Sequence, residues 1–194
     1  MQTKVSFGWK HAIALLAIAA VASVAFASVF VYYPGTVTAY YQNPPIKWEG
    51  DSNSNETDLE GQTIEVTVGH NSTNLNVKVH PTYEYTYYKG IVKISNVGTG
   101  QYNVYIRVIQ HADFGSISGG EVKLILHTPN DGDQALDMTT SDGTTYGPFL
   151  LGSGESIGVD LQYFLPDGVK LPSSINFIVQ LIYTPGSETP PSTV

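Results

Sequence analysis

The chain has 194 residues, of which 42% are hydrophobic and only 13% are charged, about half of the usual charged fraction. Acidic residues outnumber lysine and arginine by 17 to 9, which excludes a nucleic-acid partner because phosphate binding needs clustered cations. Cysteine is absent, so disulfides, thiolate metal sites and cysteine nucleophiles are excluded as well. Nineteen glycines, eleven prolines and thirteen tyrosines favour strands and turns over helices.

Residues 1–27 have the pattern of a secretory signal peptide. Lys4 and Lys10 precede an apolar run over residues 12–26, which ends in small residues. We predict cleavage between Ala27 and Ser28, so that the chain meets the membrane only before its signal is removed. The alternative is an uncleaved anchor, because the same run and the residues after it are long enough to cross a bilayer. Both alternatives export the domain, and we expect an extracellular location.

The segment 28–43 is the unusual feature of the exported chain. Residues 28–41 are rich in β-branched and aromatic side chains and are interrupted only by Pro34 and Gly35, which predicts two short strands or one kinked strand. Tandem prolines at 44–45 then end the ladder. An unpaired apolar strand at a chain end is an aggregation hazard. It therefore pairs with its own sheet, stays joined to an anchor, or inserts into a neighbouring subunit.

Residues 44–184 are predicted to form one domain, and nine or ten strands are predicted along the whole chain beyond the signal. An acidic loop spans residues 51–60, residues 81–88 are predicted to be an aromatic crossing, and residues 130–133 a turn. Strands are predicted at 64–68, 75–79, 91–95, 102–110, 121–127, 146–151, 157–163 and 177–183. Helical periodicity is absent beyond the signal. We therefore expect an all-β fold, an antiparallel β-sandwich of the jelly-roll or Greek-key type. Residues 185–194 are predicted to be a flexible C-terminal tail.

No pattern in the sequence has the setting that catalysis needs. His70, His80, His111 and His127 are too far apart in sequence for the usual zinc spacing, and no HExxH motif is present. The G-x-S-x-G pattern of serine hydrolases occurs at residues 154–158 (GESIG), but it lies between predicted strands and not at a strand-to-helix turn. We therefore predict that the protein is not an enzyme and has no resident cofactor.

Calcium is the one ion for which the sequence offers candidate oxygen ligands. Asp131, Asp133 and Asp137 follow one another closely, although acidic residues in turns are usually there to form the turn. Asn55 and Asn71 begin N-x-S/T sequons on predicted loops and are possible N-glycosylation sites of an exported protein.

Four tyrosines of the aromatic crossing, Tyr83, Tyr85, Tyr87 and Tyr88, suggest a surface on which sugars stack. The competing interpretation, which we favour, is that tyrosine joins core and solvent in sandwich domains. The alternative function for the chain is accordingly a secreted or membrane-anchored monomeric binding module for carbohydrate or another cell-surface ligand.

Two stretches are similar to known secreted proteins. Residues 93–100 (KISNVGTG) with the strand at 102–108 resemble a hairpin of the TasA/camelysin-like family, and residues 150–156 (LLGSGES) resemble the approach to its last strands. With the signal and the strand behind it, the order resembles that of the archaeal bundling pilins within this family. The family's label as metallopeptidases is not matched here, because no zinc motif is present.

The resemblance implies a jelly-roll subunit that polymerises head to tail by donor-strand complementation into extracellular pili, which bundle cells in biofilms. The implied partners are identical subunits, with bundling between filaments. Carried over by position, the implied donor strand comprises Val29, Phe30, Val31, Tyr32, Tyr33, Val37, Ala39 and Tyr41. A structural, non-enzymatic filament protein is the function that we expect from the sequence.

Overall fold

The computed structural model describes residues 8–25, 33–40, 42–115 and 117–192. It divides the chain into two units, residues 1–41 and 42–194. In the first unit, Trp9–Ala25 form helix α1, which begins just before the apolar run of the predicted signal and covers almost all of it. No helix in the described ranges is long and apolar enough to span a membrane.

The predicted donor segment is described only in part. Residues 33–40 belong to no strand, and Tyr33 and Val37 are 86% and 95% exposed. A β-strand is assigned from its backbone hydrogen bonds to a neighbouring strand, so a segment that has no such neighbour is not assigned as a strand. The predicted cleavage site and most of the predicted donor residues lie outside the described residues: Ala27, Ser28, Val29, Phe30, Val31, Tyr32 and Tyr41.

The described residues of the second unit contain ten strands, which form two layers. The strands are β1 (Ile46–Gly50), β2 (Glu65–Val68), β3 (Leu75–Lys78), β4 (Glu84–Asn96), β5 (Tyr102–Gln110), β6 (Glu121–Thr128), β7 (Gly132–Asp137), β8 (Thr145–Leu151), β9 (Ser156–Leu165) and β10 (Ile178–Thr184). One layer is a five-stranded sheet in the order β1-β4-β9-β6-β7. The other strands form a three-stranded sheet, β10-β5-β8, and a separate β2-β3 hairpin. Every pairing is antiparallel, which confirms the predicted all-β sandwich.

The core follows from period-2 alternation in the long strands. On β6 the buried positions are Val122, Leu124 and Leu126, whereas the residues between them are half-buried. The other layer contributes Val104, Ile106 and Val108 of β5, which are fully buried. Alternating apolar residues therefore point from both sheets into one core, as the sequence predicts.

Three strands differ from the sequence prediction. Strand β1 was not predicted, because the prolines before it masked a short strand whose Ile46 and Trp48 are buried. The predicted aromatic crossing is instead the first half of β4, which continues past a bulge near Gly90, where φ is +59°. The predicted turn at 130–133 is shorter, since β7 already begins at Gly132. Bulges and short edge strands leave little periodicity for a sequence to display.

Asn96 explains the asparagine of the hairpin motif. Its side chain is 1% exposed, and its Nδ2 donates hydrogen bonds to the carbonyl oxygens of Gly100 at 2.7 Å and Gly152 at 2.9 Å. Its Oδ1 accepts the backbone N–H of Gly98 at 2.9 Å. One buried amide thus fixes two neighbouring turns, which is a structural reason for an asparagine at this position.

A buried carboxylate joins strands on the outer side of the five-stranded sheet. The side chain of Asp160 on β9 is 2% exposed and accepts hydrogen bonds from the Tyr87 hydroxyl and the Gly90 N–H, both at 2.6 Å. His127 Nε2 donates to Asp160 at 2.8 Å, and its Nδ1 donates to Asp133 at 2.7 Å. An imidazole that donates from both nitrogens is in its protonated form. Strands β4, β9, β6 and β7 are thereby tied together.

The pKa values of this cluster follow from the same contacts. Hydrogen bonds to Asp160 and Asp133 raise the pKa of His127 above its usual 6.5. Burial alone would raise the pKa of Asp160, but its hydrogen bonds with Tyr87, Gly90 and His127 outweigh burial and lower that pKa below 3.8. Burial, followed by the bond to Asp160, raises the pKa of Tyr87 to about 12. At mildly acidic pH His127 is therefore a cation and Asp160 an anion, and the Tyr87 hydroxyl keeps its proton and donates it to Asp160.

We predict a pH dependence of stability from His127. A raised folded-state pKa means that its stabilisation is complete below pH 6.5 and is lost as the pH rises through the folded-state pKa. Urea unfolding should show this decline as the pH is raised above 6.5 in the wild type and not in His127→Gln. The matched control is His111→Gln, which removes the exposed pair with Asp142 and should keep the decline. The same decline in His127→Gln would contradict the assignment.

Asp160→Ala removes the buried acceptor itself. It leaves the Tyr87 hydroxyl, the Gly90 N–H and the His127 ring without their carboxylate, and we expect a loss of about 3 kcal/mol in the free energy of unfolding at pH 7. Chemical denaturation measures this loss, and a change below about 1 kcal/mol would show that the cluster is not a structural anchor.

Candidate functional site

The second layer of the sandwich is interrupted between the β2-β3 hairpin and the three-stranded sheet. A groove of about 820 Å³ lies at this interruption. It is lined by residues 73–77 of the hairpin region, by residues 175–181 leading into and along β10, and by core residues of the five-stranded sheet. The gap therefore lies where a further strand of the second layer would stand.

The walls of the groove combine apolar and polar side chains. Half-buried apolar residues line it from the hairpin (Leu75, Val77) and from the β10 side (Phe177, Val179, Leu181). Polar residues line it beside them: Asn74, Asn76, Asn176 and Gln180. Its lining from the five-stranded sheet includes fully or nearly fully buried residues: Ile91, Val92, Leu124, Val159, Leu161 and Tyr163. The core residues at the floor are thus covered, and the apolar side chains that stay partly exposed belong to the walls.

Both strands beside the groove are sheet edges. Among the described residues, β10 pairs only with β5, and β3 pairs only with β2. Gln180 of β10 lines the groove, and its Oε1 is the one buried side-chain oxygen or nitrogen of the described residues without a hydrogen-bond partner. Unpaired edges next to exposed apolar side chains are the features that natural sandwiches usually cover.

The hairpin is held in place by specific polar contacts, so the groove is preformed. The Trp48 N–H donates to the Ser72 carbonyl at 2.9 Å. The buried carboxylate of Asp58 accepts the backbone N–H of His80 at 2.8 Å, the His80 ring at 3.1 Å and the Tyr88 hydroxyl at 3.2 Å. These bonds join the hairpin region to β1 and, through Asp58, to β4.

The shape of the groove favours an extended peptide over a small molecule. Its volume lies within the range of small-molecule pockets, about 300 to 1,000 Å³. A compact apolar ligand, however, leaves the backbone N–H and C=O groups of β3 and β10 unpaired, whereas an added strand pairs them and fills the groove with alternate side chains. The seven residues of β10 offer an edge of about 23 Å to such a strand.

The predicted calcium candidates are not brought together. Asp131 is exposed, Asp133 pairs with His127, and Asp137 accepts hydrogen bonds from the backbone and hydroxyl of Thr139. In the parts of the chain that the structure describes, no group of three His, Asp or Glu residues is arranged to hold a metal ion. Calcium binding stays a prediction without a geometric site.

The remaining candidates lie at the surface or pair locally. Asn55 and Asn71 are exposed on loops, as glycosylation would require. His80 and His111 each contact an aspartate, Asp58 and Asp142 respectively. The donor candidates within the described residues, Tyr33, Val37 and Ala39, are exposed and form no strand.

The four tyrosines separate into two environments. Tyr88 is 5% exposed, and burial, then the nearby charge of Asp58, raises the pKa of its hydroxyl. Tyr85 is 65% exposed and packs against Phe164 with ring centroids 4.7 Å apart. Tyr83 and Tyr87 are partly exposed, and their hydroxyls donate to the protein itself. Tyr85 is thus the tyrosine of this set with the most accessible ring.

The groove was not predicted from the sequence. The alternation of Phe177, Val179 and Leu181 predicts a strand with one apolar face, and that strand is observed. Periodicity identifies the buried face of a strand but not whether a neighbour lies at each of its edges. The available signal was the apolar segment at 28–41, which the sequence predicts to be strand-forming without indicating which sheet it joins.

We predict that the backbone of β10 exchanges its amide hydrogens faster than the central strands do. Half of its N–H groups point to β5, and the other half point to the open edge. Residue-resolved exchange on monomeric protein should show alternating protection along β10 and uniform protection along β9. Uniform, slow exchange along β10 would contradict an open edge.

No protein-family model matches the chain, and a search of curated proteins finds no similar sequence. The likeness to TasA/camelysin-like proteins consequently rests on the short motifs that carry it.

Proposed function

We propose that the protein is a structural, non-enzymatic subunit of an extracellular filament. In this proposal the groove between β3 and β10 of one subunit receives the segment 28–43 of the next. The observation that carries the proposal is the groove itself, with half-buried apolar side chains in its walls, an edge strand on each side and a floor of core side chains.

The segment has the chemistry that such a groove would accept. Residues 28–43 carry no charged side chain and are rich in valine and tyrosine. Their fourteen residues up to position 41 span about 46 Å when extended, against about 23 Å for the edge of β10. Prolines at 44–45 cannot continue a ladder, and they separate the segment from β1. The segment is long enough to occupy the groove and reach back to its own domain.

Joining one subunit to the next in this way produces an open polymer. The donor segment and the groove are different surfaces, so the contact is heterologous and leaves a free groove at one end and a free segment at the other. Burial of apolar side chains contributes about 1.5 to 3 kcal/mol for each one that becomes fully buried, and each new ladder bond adds about 1 kcal/mol. Such a polymer needs no disulfide, in keeping with a chain that has no cysteine.

Export, bundling and cell adhesion complete the proposal. The signal pattern of residues 1–27 supports export to the cell surface, and removal of the signal would free the segment that follows it. Bundling of filaments in a biofilm is implied by the resemblance to archaeal bundling pilins alone.

Negative-stain electron microscopy tests the proposal. The chain that begins at Ser28 should form filaments, and the chain that begins at Pro44 should remain monomeric and folded. Filaments from both chains would contradict the role of the segment. Folded monomers from both would favour the binding module instead, with the exposed ring of Tyr85 as its first candidate surface.

A matched pair of variants separates the two faces of the donor strand. Val37 and Ala39 share one face of an extended segment, and Thr36 and Thr38 share the other. We expect the double substitution V37D/A39D to abolish filaments, because it places two charges in an apolar groove. The control T36D/T38D adds the same charges on the opposite face and should still polymerise. Equal loss in both variants would show that charge, not groove packing, is responsible.

A further inference from the structure

The outer side of the three-stranded sheet holds a second, separate binding arrangement. Strand β5 directs Asn103, Tyr105 and Arg107 to this side, in alternation with its core residues. Each donates a hydrogen bond to a backbone carbonyl of the segment that follows β10. Asn103 Nδ2 bonds to Gly186 at 2.7 Å, the Tyr105 hydroxyl bonds to Glu188 at 3.1 Å, and Arg107 Nη2 bonds to Pro191.

The segment covers these side chains almost completely. Tyr105 is 4% exposed and Arg107 is 3% exposed, although both point away from the core. Arg107 is the only arginine of the chain, and within the described residues it forms no ion pair with a carboxylate. Its other described acceptor is the Thr145 hydroxyl, at 3.0 Å from Nε. A buried guanidinium needs acceptors, and the segment supplies a carbonyl.

The three donors on β5 bind the backbone of the segment and not its side chains. All three acceptors are carbonyl oxygens, and Ser187, Glu188 and Thr189 remain exposed. The five steps from Gly186 to Pro191 span about 15 Å in a polyproline-type chain, against about 13 Å for the four steps from Asn103 to Arg107. Proline has no N–H, so this segment cannot simply extend the sheet, while its carbonyls remain free to accept.

We propose that Asn103, Tyr105 and Arg107 form a peptide-binding site for an extended, proline-containing segment. The chain's own residues 186–191 occupy it, and they can leave and rebind without unfolding of the sandwich. The site lies on the opposite face of the sheet from the core, and it does not depend on the filament proposal. Residues 185–194 were predicted to be flexible; within the described part, residues 186–191 follow the row of three donors on β5.

Cleavage by the glutamate-specific protease Glu-C tests the docked state in the intact chain. The bond after Glu188 lies at the centre of the site, since the Glu188 carbonyl accepts the Tyr105 hydroxyl. A docked segment resists a protease that requires an unfolded stretch, and the cleavage rate follows the open population. Tyr105→Phe removes one hydrogen bond and keeps the ring, so we expect cleavage after Glu188 to be about five times faster.

The matched control is Tyr83→Phe. It removes the same kind of bond, from a tyrosine hydroxyl to the Val169 carbonyl, at a place away from the site. It should leave the rate of cleavage after Glu188 unchanged. Wild-type protein that is cut after Glu188 as fast as a free peptide of residues 185–194 would overturn the docked state.

Binding of the segment as a separate peptide tests whether the segment can leave the site and rebind. In a full-length variant with residues 186–191 replaced by alternating glycine and serine, the site should be empty and should bind a fluorescent peptide of residues 185–194. Fluorescence anisotropy should show saturable binding that Arg107→Gln weakens at least tenfold. A folded variant, with the wild-type circular dichroism spectrum, that does not bind the peptide would overturn the site. If the variant does not fold, the segment is an integral part of the domain, which overturns exchange.

Discussion

A β-sandwich buries its core only when both layers cover it, and in the described residues a gap divides the second layer. The five-stranded sheet faces three strands on one side of the gap and two on the other. The apolar side chains that face the gap are the same residue types that fill the core elsewhere, but Leu75, Val77, Phe177, Val179 and Leu181 are only half-buried. Partly exposed apolar side chains beside two edges without a described partner represent unrealised burial and pairing, and a strand that entered the gap would recover both.

Buried polar groups anchor elements on either side of this gap. Asp58 fixes the hairpin on one side through His80 and Tyr88. On the other side, Arg107 and its neighbours on β5 hold the segment after β10 against the outer face of the sheet. Buried polar groups are costly unless they are paired, so each fixes one arrangement of the elements it joins. In a chain with few charges, a small number of buried charged groups determines where the loops and edges lie.

The sequence predicts the strands of the two layers better than it predicts the groove between them. Alternation on β5, β6, β9 and β10 gave their positions and their buried faces, because period 2 is a direct consequence of strand geometry. Strand β1 was not predicted because it is short and follows two prolines. Strand β4 was divided in the prediction because a bulge interrupts its alternation. The groove and the burial of Arg107 depend on which elements meet in space, and that information is not present in local periodicity.

The central claim is that the gap is filled by a strand from another copy of the chain, and cross-linking tests it most directly. The chain has no cysteine, so every cross-link between introduced cysteines is defined. Val37→Cys is combined in one chain with Val77→Cys or with Leu181→Cys, and a short bismaleimide is used as cross-linker because it tolerates small differences in register. For such a double variant we predict a ladder of multimers on a denaturing gel, because every chain can be linked at both of its ends. A mixture of the two single variants should give dimers alone. Ile125→Cys, on the other face of β6, replaces the groove cysteine as control and should give no cross-link to Val37→Cys. Double variants that remain monomeric on the gel, cross-linked within one chain or not at all, would contradict the account.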